Sequence, residues 1–236
     1  GESIAWGLAE FGATVVVSSR KQEAVDEVAT ELRDSGYHAL ALACHVGDAG
    51  QRANLVEATL AKYGRVDILV NNAAINPYYG PFAQISDAAF LKTLQVNLDS
   101  ARILSNLVYE PMQNQKSGSI IHISSIESFE PGNGMGAYSL SKAALNMLTK
   151  SQAKEWGRDG IRVNAIAPGL IKTKFSSALW QNQALMNFIE QQVPAGRAGE
   201  PEEIAGLAVF LASDAGSYCS GSIYVVDGGF LLATGL

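Results

Sequence analysis

The sequence predicts a doubly wound α/β domain, a parallel sheet covered by helices on both faces. Three observations predict it. Short β-branched runs alternate with longer stretches of 3.6-residue apolar period along the whole chain. Five of the six strand-like runs are almost wholly apolar, the pattern of strands buried on both faces. No internal repeat, linker or low-complexity segment interrupts the 236 residues, a length that suits one large domain.

The elements follow in order. Glu2–Phe11 carries apolar residues at helical spacing, and the valine-rich Thr14–Ser18 reads as a strand. Glu23–Ser35 is an amphipathic helix, and Ala39–Cys44 the next strand. Gln51–Tyr63 is a helix before the apolar strand Ile68–Asn71. The period then holds from Asp87 to Met112, which predicts one long helix. Ser119–Ser124 is a strand and Ala137–Trp156 a helix. Arg162–Ala167 is the fifth strand. Helices Ala184–Gln192 and Pro201–Ala212 precede the last strand, Ser222–Val226.

Composition narrows the function. Apolar residues make up 47% and charged residues 17%, which suits a folded chain rather than a disordered one. A net charge of -6 without a basic block argues against a nucleic-acid partner. The apolar runs stop far short of the ~18 residues that a membrane span requires, so no membrane is expected. Cys44 and Cys219 are too few for a disulfide framework; with no signal-peptide pattern they read as reduced thiols of a cytoplasmic protein. The CxxC and HExxH spacings are absent, and no metal is expected. The terminal Thr234-Gly235-Leu236 is not a peroxisomal address of the SKL type.

In such a fold a strand leads into the first helix, and the turn between them holds a cofactor pyrophosphate at the helix amino end. Here Gly1 stands directly before the helix. The expectation is a chain shortened at its amino end, by a strand and most of a glycine turn.

Candidate chemistry lies in five places. In "GAYSLSKAALN", Tyr138 and Lys142 are four residues apart on one helix face. An ammonium beside a phenol favours the phenolate and lowers its pKa, so the pair could move a proton to or from a carbonyl oxygen. The same spacing also suits a solvated helix face. Ser124 and Ser125 end a buried strand on the ligand side of the sheet, where they either bind a substrate oxygen or make a turn. Asn71-Asn72-Ala73-Ala74 allows close approach of a ligand or an Asx turn. Asn97 falls inside a helical stretch and requires a partner: a water leading to Lys142, or a tertiary hydrogen bond. Pro168-Gly169 breaks the chain after a strand, and Thr173 follows, able to bind a carboxamide or phosphate.

Taken together, "NNAA", Asn97, Ser125, "YSLSK", "RVNAIAPG" with Thr173, and "VVDGG" resemble the short-chain dehydrogenase/reductase family across essentially the whole chain. The resemblance implies a Rossmann-type fold with a seven-stranded sheet. It implies a catalytic tetrad of Asn97, Ser125, Tyr138 and Lys142. Tyr138 would be the general acid/base and Ser125 the carbonyl binder. Lys142 would lower the tyrosine pKa and hold the nicotinamide ribose, and Asn97 would hold a water. Gly1 matches the last glycine of the family's phosphate turn. Asn72, Ala73, Pro168, Gly169, Ile171 and Thr173 complete the implied cofactor set, with Tyr138 and Lys142.

Cofactor choice is legible after the second strand of the family pattern. There "VVVSSRK" places Ser19 where NAD-type members carry an acid, followed by Arg20 and Lys21. A hydroxyl and two cations suit the 2′-phosphate of NADP(H); solvation of a helix start is the local alternative. "CHVGD" departs from the family pattern, with His45 in place of an aspartate, so the adenine contact falls to His45 or to the backbone at Val46. His122, inside a strand, reads as a core or turn partner rather than a catalyst.

Within the family the chain looks most like the NADPH-dependent carbonyl and retinal reductases; a 3-oxoacyl-carrier-protein reductase is the nearest competitor, and a non-catalytic relic of the fold and an NAD-linked alcohol dehydrogenase running in the oxidative direction are further alternatives. Residues 170–195 are expected to form a substrate lid. Phe175, Leu179 and Trp180, with Tyr78 and Phe129, would make an aromatic wall for an apolar ketone, aldehyde or quinone, or serve as lid core. The resemblance implies a homotetramer, with a homodimer as the alternative.

Overall fold

A computed structural model describes residues 1–233; the terminal tripeptide named above lies outside the described residues. Six strands and nine α-helices are formed among them. The strands are β1 (Val15–Val17), β2 (Ala39–Ala41), β3 (Ile68–Asn71), β4 (Gly118–Ile123), β5 (Ile161–Pro168) and β6 (Ile223–Val226). The helices are α1 (Glu2–Glu10), α2 (Gln22–Asp34), α3 (Ala49–Tyr63), α4 (Asp87–Leu94) and α5 (Ser100–Gln115), then α6 (Gly136–Trp156), α7 (Ser177–Trp180), α8 (Gln183–Gln192) and α9 (Pro201–Ala212).

All strand pairs are parallel, and the sheet is in two parts. β1 pairs with β2, and β3-β4-β5-β6 form a four-stranded sheet. β4 lies inside it, Ile120 opposite Leu69 on one side and Val163 on the other. Its alternate residues face opposite layers. Ile121 joins Ile166 under α1 and α9, through Ile4, Ile204, Ala208 and Leu211. Ile120 joins Val163 under α3 and α5, through Val56, Leu104 and Val108. A third cluster of Ala9, Val15 and Leu32 packs α1 and α2 on β1. Helix α1 therefore contributes to the core of both parts of the sheet.

Local chemistry sets the helix starts. Asp48 accepts the Gln51 amide at 2.8 Å to cap α3, and Asn182 caps α8 through Leu185. Helix α9 opens with Pro201 and a reciprocal Glu200–Glu203 capping box.

Two expectations are corrected. Two-sided burial holds for β4 and β5 but not for the other apolar strands. The others each have a strand neighbour on one side only, so solvent reaches them from the free edge. The single helix over 87–112 is also broken. A π-turn at Gln95–Asp99 separates α4 from α5, and apolar periodicity does not register one added residue.

Candidate active site

Strand β4 ends at Ile123, and the chain turns through Ser124 and Ser125 into a 3₁₀ turn at Ile126–Ser128. The Ser125 hydroxyl caps that turn, accepting the Glu127 amide at 3.2 Å. One lone pair is thus occupied, and the hydroxyl proton is left for the Tyr138 oxygen beside it or for a ligand. Helix α6 then crosses the sheet with Tyr138 and Lys142 one turn apart on its inner face. They are only 7% and 2% exposed. The Lys142 ammonium donates to the Ile123 carbonyl at 2.7 Å and lies 5.6 Å from the centre of the Tyr138 ring. Phe175, from the segment after β5, comes to 6.4 Å of the same ring, centre to centre.

Burial dominates the electrostatics. It pushes the Lys142 ammonium down to about 7. It pushes the Tyr138 phenol up to about 12, against the Ser125 hydroxyl, which pulls it down, and with the Glu127 carboxylate, which adds to the rise. Burial of the phenol thus works against the lowering expected from Lys142. The ammonium itself is engaged by the Ile123 carbonyl. His122, on β4 beneath the pair, is driven to about 4, first by burial, partly offset by its bond to Gln152 and deepened by the Lys142 charge. A neutral imidazole satisfies both neighbours: Nδ1 accepts from Asn71 at 3.2 Å, and Nε2–H donates to Gln152 at 3.0 Å. His122 is a core partner.

Asn97 sits in the π-turn, 1% exposed. Its amide grips the backbone of Ile75 in both directions: Oδ1 accepts the Ile75 N–H at 2.8 Å, and Nδ2 donates to the Ile75 carbonyl at 2.9 Å. Nδ2 also reaches the Ser141 hydroxyl, beside Lys142, at 3.0 Å. Of the two partners expected for Asn97, the structure has the tertiary one, and it ties the loop after β3 to α6.

The implied cofactor residues gather at the carboxyl ends of the strands, the ligand side of a parallel sheet. Ser19, Arg20 and Lys21 follow β1 and are exposed. Arg20 and Lys21 make no ion pair among the described residues. After β2, His45 accepts the Gly47 amide through Nδ1 at 3.0 Å, and the Val46 carbonyl accepts from Arg52. Asn72 and Ala73 are exposed after β3, and a Cβ on Gly1 would come within 2.8 Å of the Asn72 amide nitrogen. Pro168 ends β5. A Cβ on Gly169 would stand 2.8 Å from the Asp227 α-carbon, so only glycine lets the chain leave β5 along the end of β6. Ile171 forms a bridge with Gly199. The Thr173 hydroxyl meets that of Ser176 at 2.9 Å.

The substrate candidates divide. Phe129, Phe175 and Leu179 are exposed, with Phe175 over Tyr138. Trp180 instead donates its indole N–H to the Thr173 carbonyl at 2.9 Å, and Tyr78 its hydroxyl to the Pro81 carbonyl at 2.9 Å. Both are half-buried and fasten their own loops. Sequence reasoning passed over Glu127 and Asn146, which contact the same turn as Ser125. A carboxylate two residues after the serine was the available signal.

This donor set fits a nicotinamide dinucleotide. It presents free cations at one end, exposed backbone and small residues along the strand ends, and a buried lysine and tyrosine at the other.

The chain resembles known proteins over nearly its whole length. Residues 1–231 match a family model described as enoyl-(acyl carrier protein) reductase. Dehydrogenase/reductase SDR family member 4 of Oryctolagus cuniculus is 42% identical over 97% of this chain and 88% of its own. Tropinone reductase-like 3 of Erythroxylum coca is 38% identical, over 97% and 88%. A crystal structure of gluconate 5-dehydrogenase from Burkholderia cenocepacia J2315, in complex with NADP and tartrate, superposes with a TM-score of 0.94 at 33% identity, over 99% of this chain and 92% of that one.

Proposed function

Because the chain belongs to the short-chain dehydrogenase/reductase family, we propose that it is an NADPH-dependent carbonyl reductase for an apolar ketone, aldehyde or quinone. As a member it is an oxidoreductase, of a family that uses nicotinamide cofactors. The observation that carries the finer reading is the buried Tyr138–Lys142 pair beside Ser125 at the carboxyl end of β4.

The nicotinamide, when bound, supplies the hydride. The chain's own residues do the rest. Ser125 donates its hydroxyl proton to the substrate carbonyl oxygen, in exchange for the Tyr138 oxygen, and orients it. Tyr138, kept protonated by burial, gives its proton to that oxygen as charge develops there. Lys142, with N–H groups beyond the one on Ile123, would hold the ribose and stabilise the phenolate left behind. Asn97 keeps the loop after β3 in register with α6.

Gly1, Asn72 and Ala73 would line the phosphates, and His45 and Val46 the adenine. Pro168, Gly169, Ile171 and Thr173 would line the nicotinamide, with Thr173 exchanging Ser176 for the carboxamide. Ser19, Arg20 and Lys21 would take the 2′-phosphate; their exposure and freedom from ion pairs support NADP(H) over NAD. The gluconate 5-dehydrogenase neighbour, which carries NADP, adds to that support.

Residues 170–195 act as the lid, with Phe175, Leu179 and Phe129 as the apolar wall, while Trp180 and Tyr78 brace it. The tropinone reductase-like relative supports a ketone substrate. An acyl-carrier-protein partner would want a basic mouth. Lys172 is paired with Glu200 at 2.7 Å, which leaves Lys174 there. A homotetramer through α5 and α6 follows from the family resemblance, and Leu140 and Met147 are exposed on α6.

The test is direct. The wild-type chain is titrated with NADPH and NADH and assayed on ketones and quinones alongside Tyr138→Phe. Tight NADPH binding, with turnover that disappears in the variant, is expected. Turnover that survives in Tyr138→Phe overturns the reading.

A further inference from the structure

We infer that Glu127 is a positioning residue for this reaction: it straps the turn that carries Ser125 to the helix turn that carries Tyr138, and it sets a fixed negative charge beside the phenol. The inference rests on the carbonyl-reductase reading above.

Glu127 touches both groups at once. Its backbone amide donates to the Ser125 hydroxyl at 3.2 Å. Its carboxylate Oε2 accepts the hydroxyl of Ser139, the residue after Tyr138, at 2.7 Å. The same oxygen accepts the Gly132 amide at 2.8 Å, which ties in the loop before α6. Gly132 is required for this seat, because a Cβ there would come within 2.8 Å of Oε1. The other end of the turn is held by neutral groups. Ser128 donates to the Ser125 carbonyl at 2.5 Å and accepts from Asn146 Nδ2 at 2.8 Å. The Ser125 turn is therefore fastened to α6 at Ser139, between Tyr138 and Lys142, and at Asn146, one turn beyond them, and only the Glu127 fastening is charged. Charge-assisted hydrogen bonds of this kind are roughly twice as strong as neutral ones.

The charges around Tyr138 leave Glu127 prominent. On α6, Lys142 is turned to the Ile123 carbonyl. On β4, neutral His122 is bonded to Asn71 and Gln152. On α4 and the π-turn, Lys92 is bonded to Gln95 and Asp99 is paired with Arg102, while Asp87 is exposed at the helix start. After β5, Lys172 is paired with Glu200 and Lys174 is exposed. Glu130 is exposed further along the Glu127 loop. After burial and the Ser125 hydroxyl, the Glu127 carboxylate, held one residue along at Ser139, is the remaining influence on the phenol, and it favours the protonated form required to give a proton to a carbonyl.

Two substitutions separate strap from charge. Glu127→Gln keeps an acceptor oxygen for Ser139 and Gly132 but removes the charge. Glu127→Ala removes both. The pH profile of kcat/KM for reduction is measured for each full-length chain, with amide exchange at Gly132 as a readout independent of turnover. In Glu127→Ala, kcat should fall about tenfold with KM for NADPH unchanged, and Gly132 should lose protection. Glu127→Gln should restore most of that kcat and the protection. Its alkaline limb should lie about half a pH unit or more below wild type, since a phenol without the neighbouring anion loses its proton sooner. A Glu127→Gln limb that coincides with wild type overturns the inference, and this holds even if Glu127→Ala does not fold. Failure of the underlying reading looks different: the wild type then lacks turnover, or Tyr138→Phe retains it, and the inference falls with it.

Discussion

In the four-stranded part of the sheet, β4 and β5 are buried along almost their whole length; in the two-stranded part, only Val15 of β1 is. The candidate chemistry divides the same way. Tyr138, Lys142 and Asn97 are packed against the buried strands, and each has its polar atoms or its titration governed by named neighbours. Ser19, Arg20 and Lys21 stand in water beyond β1. Proton transfer demands fixed distances and a dry setting, which a two-sided core provides. Selection between two cofactors by a phosphate demands only reachable cations, which an exposed turn provides. The comparison teaches that each task sits where the local packing suits it.

The largest effect that would sharpen this contrast is Tyr138→Phe. It should cut kcat for carbonyl reduction by about 10²–10⁴-fold while leaving NADPH affinity and the melting temperature close to wild type. A variant that binds NADPH as tightly and turns over as fast would break the division. Next comes stability in acid. The folded protein holds the His122 pKa near 4, while the unfolded chain binds its proton below the ordinary value of 6.5. Stability therefore falls as pH drops from about 6.5 to 4, by about 3 kcal/mol from this one group. Denaturant titrations at pH 7 and pH 4.5 should show a smaller loss in His122→Asn.

Of smaller expected size is cofactor choice. Arg20→Ala should weaken NADPH binding by about tenfold or more, equivalent to about 1.5 kcal/mol for a charge-assisted hydrogen bond, with NADH binding and melting temperature unaffected. Loss of stability in that variant would show that the exposed turn does carry packing. The smallest effect is expected at Trp180→Phe. It removes the bond to the Thr173 carbonyl and should cost about 1 kcal/mol of local stability, seen as faster amide exchange across residues 173–180 and a raised KM for substrate.

Much of this was legible beforehand. Every predicted strand is present: β1, β2 and β6 are shorter than expected, β3 has the expected bounds, β4 is shifted by one residue and β5 runs one residue further at each end, because apolar runs report burial more than hydrogen-bonded length. Tyr138, Lys142 and Ser125 could be placed together because spacing on one helix and the end of one strand are local facts. Their tertiary partners could not. Nothing in the sequence says that Lys142 spends a proton on the Ile123 carbonyl, or that Trp180 and Tyr78 turn their polar ends to their own loops. The burial that raises the Tyr138 phenol was hidden for the same reason: spacing reports a neighbouring charge, and only packing reports the loss of water. The division of the sheet is the one implied by the expected lack of a strand before the first helix.

The π-turn at Gln95–Asp99 has a consequence for how the chain tolerates change in length. A π-turn holds one residue more than the α-helical turn it replaces. A deletion of one codon there would mend the helix locally and join α4 to α5 in a single unbroken run. Side chains of α5 would keep their faces, because the wide turn already absorbs the extra residue, and Ser105, Val108 and Met112 would stay on the sheet. The grip of Asn97 on Ile75, which that turn carries, would be lost. The better helix would thus make the worse protein, because the irregular turn is what carries Asn97 to the loop after β3.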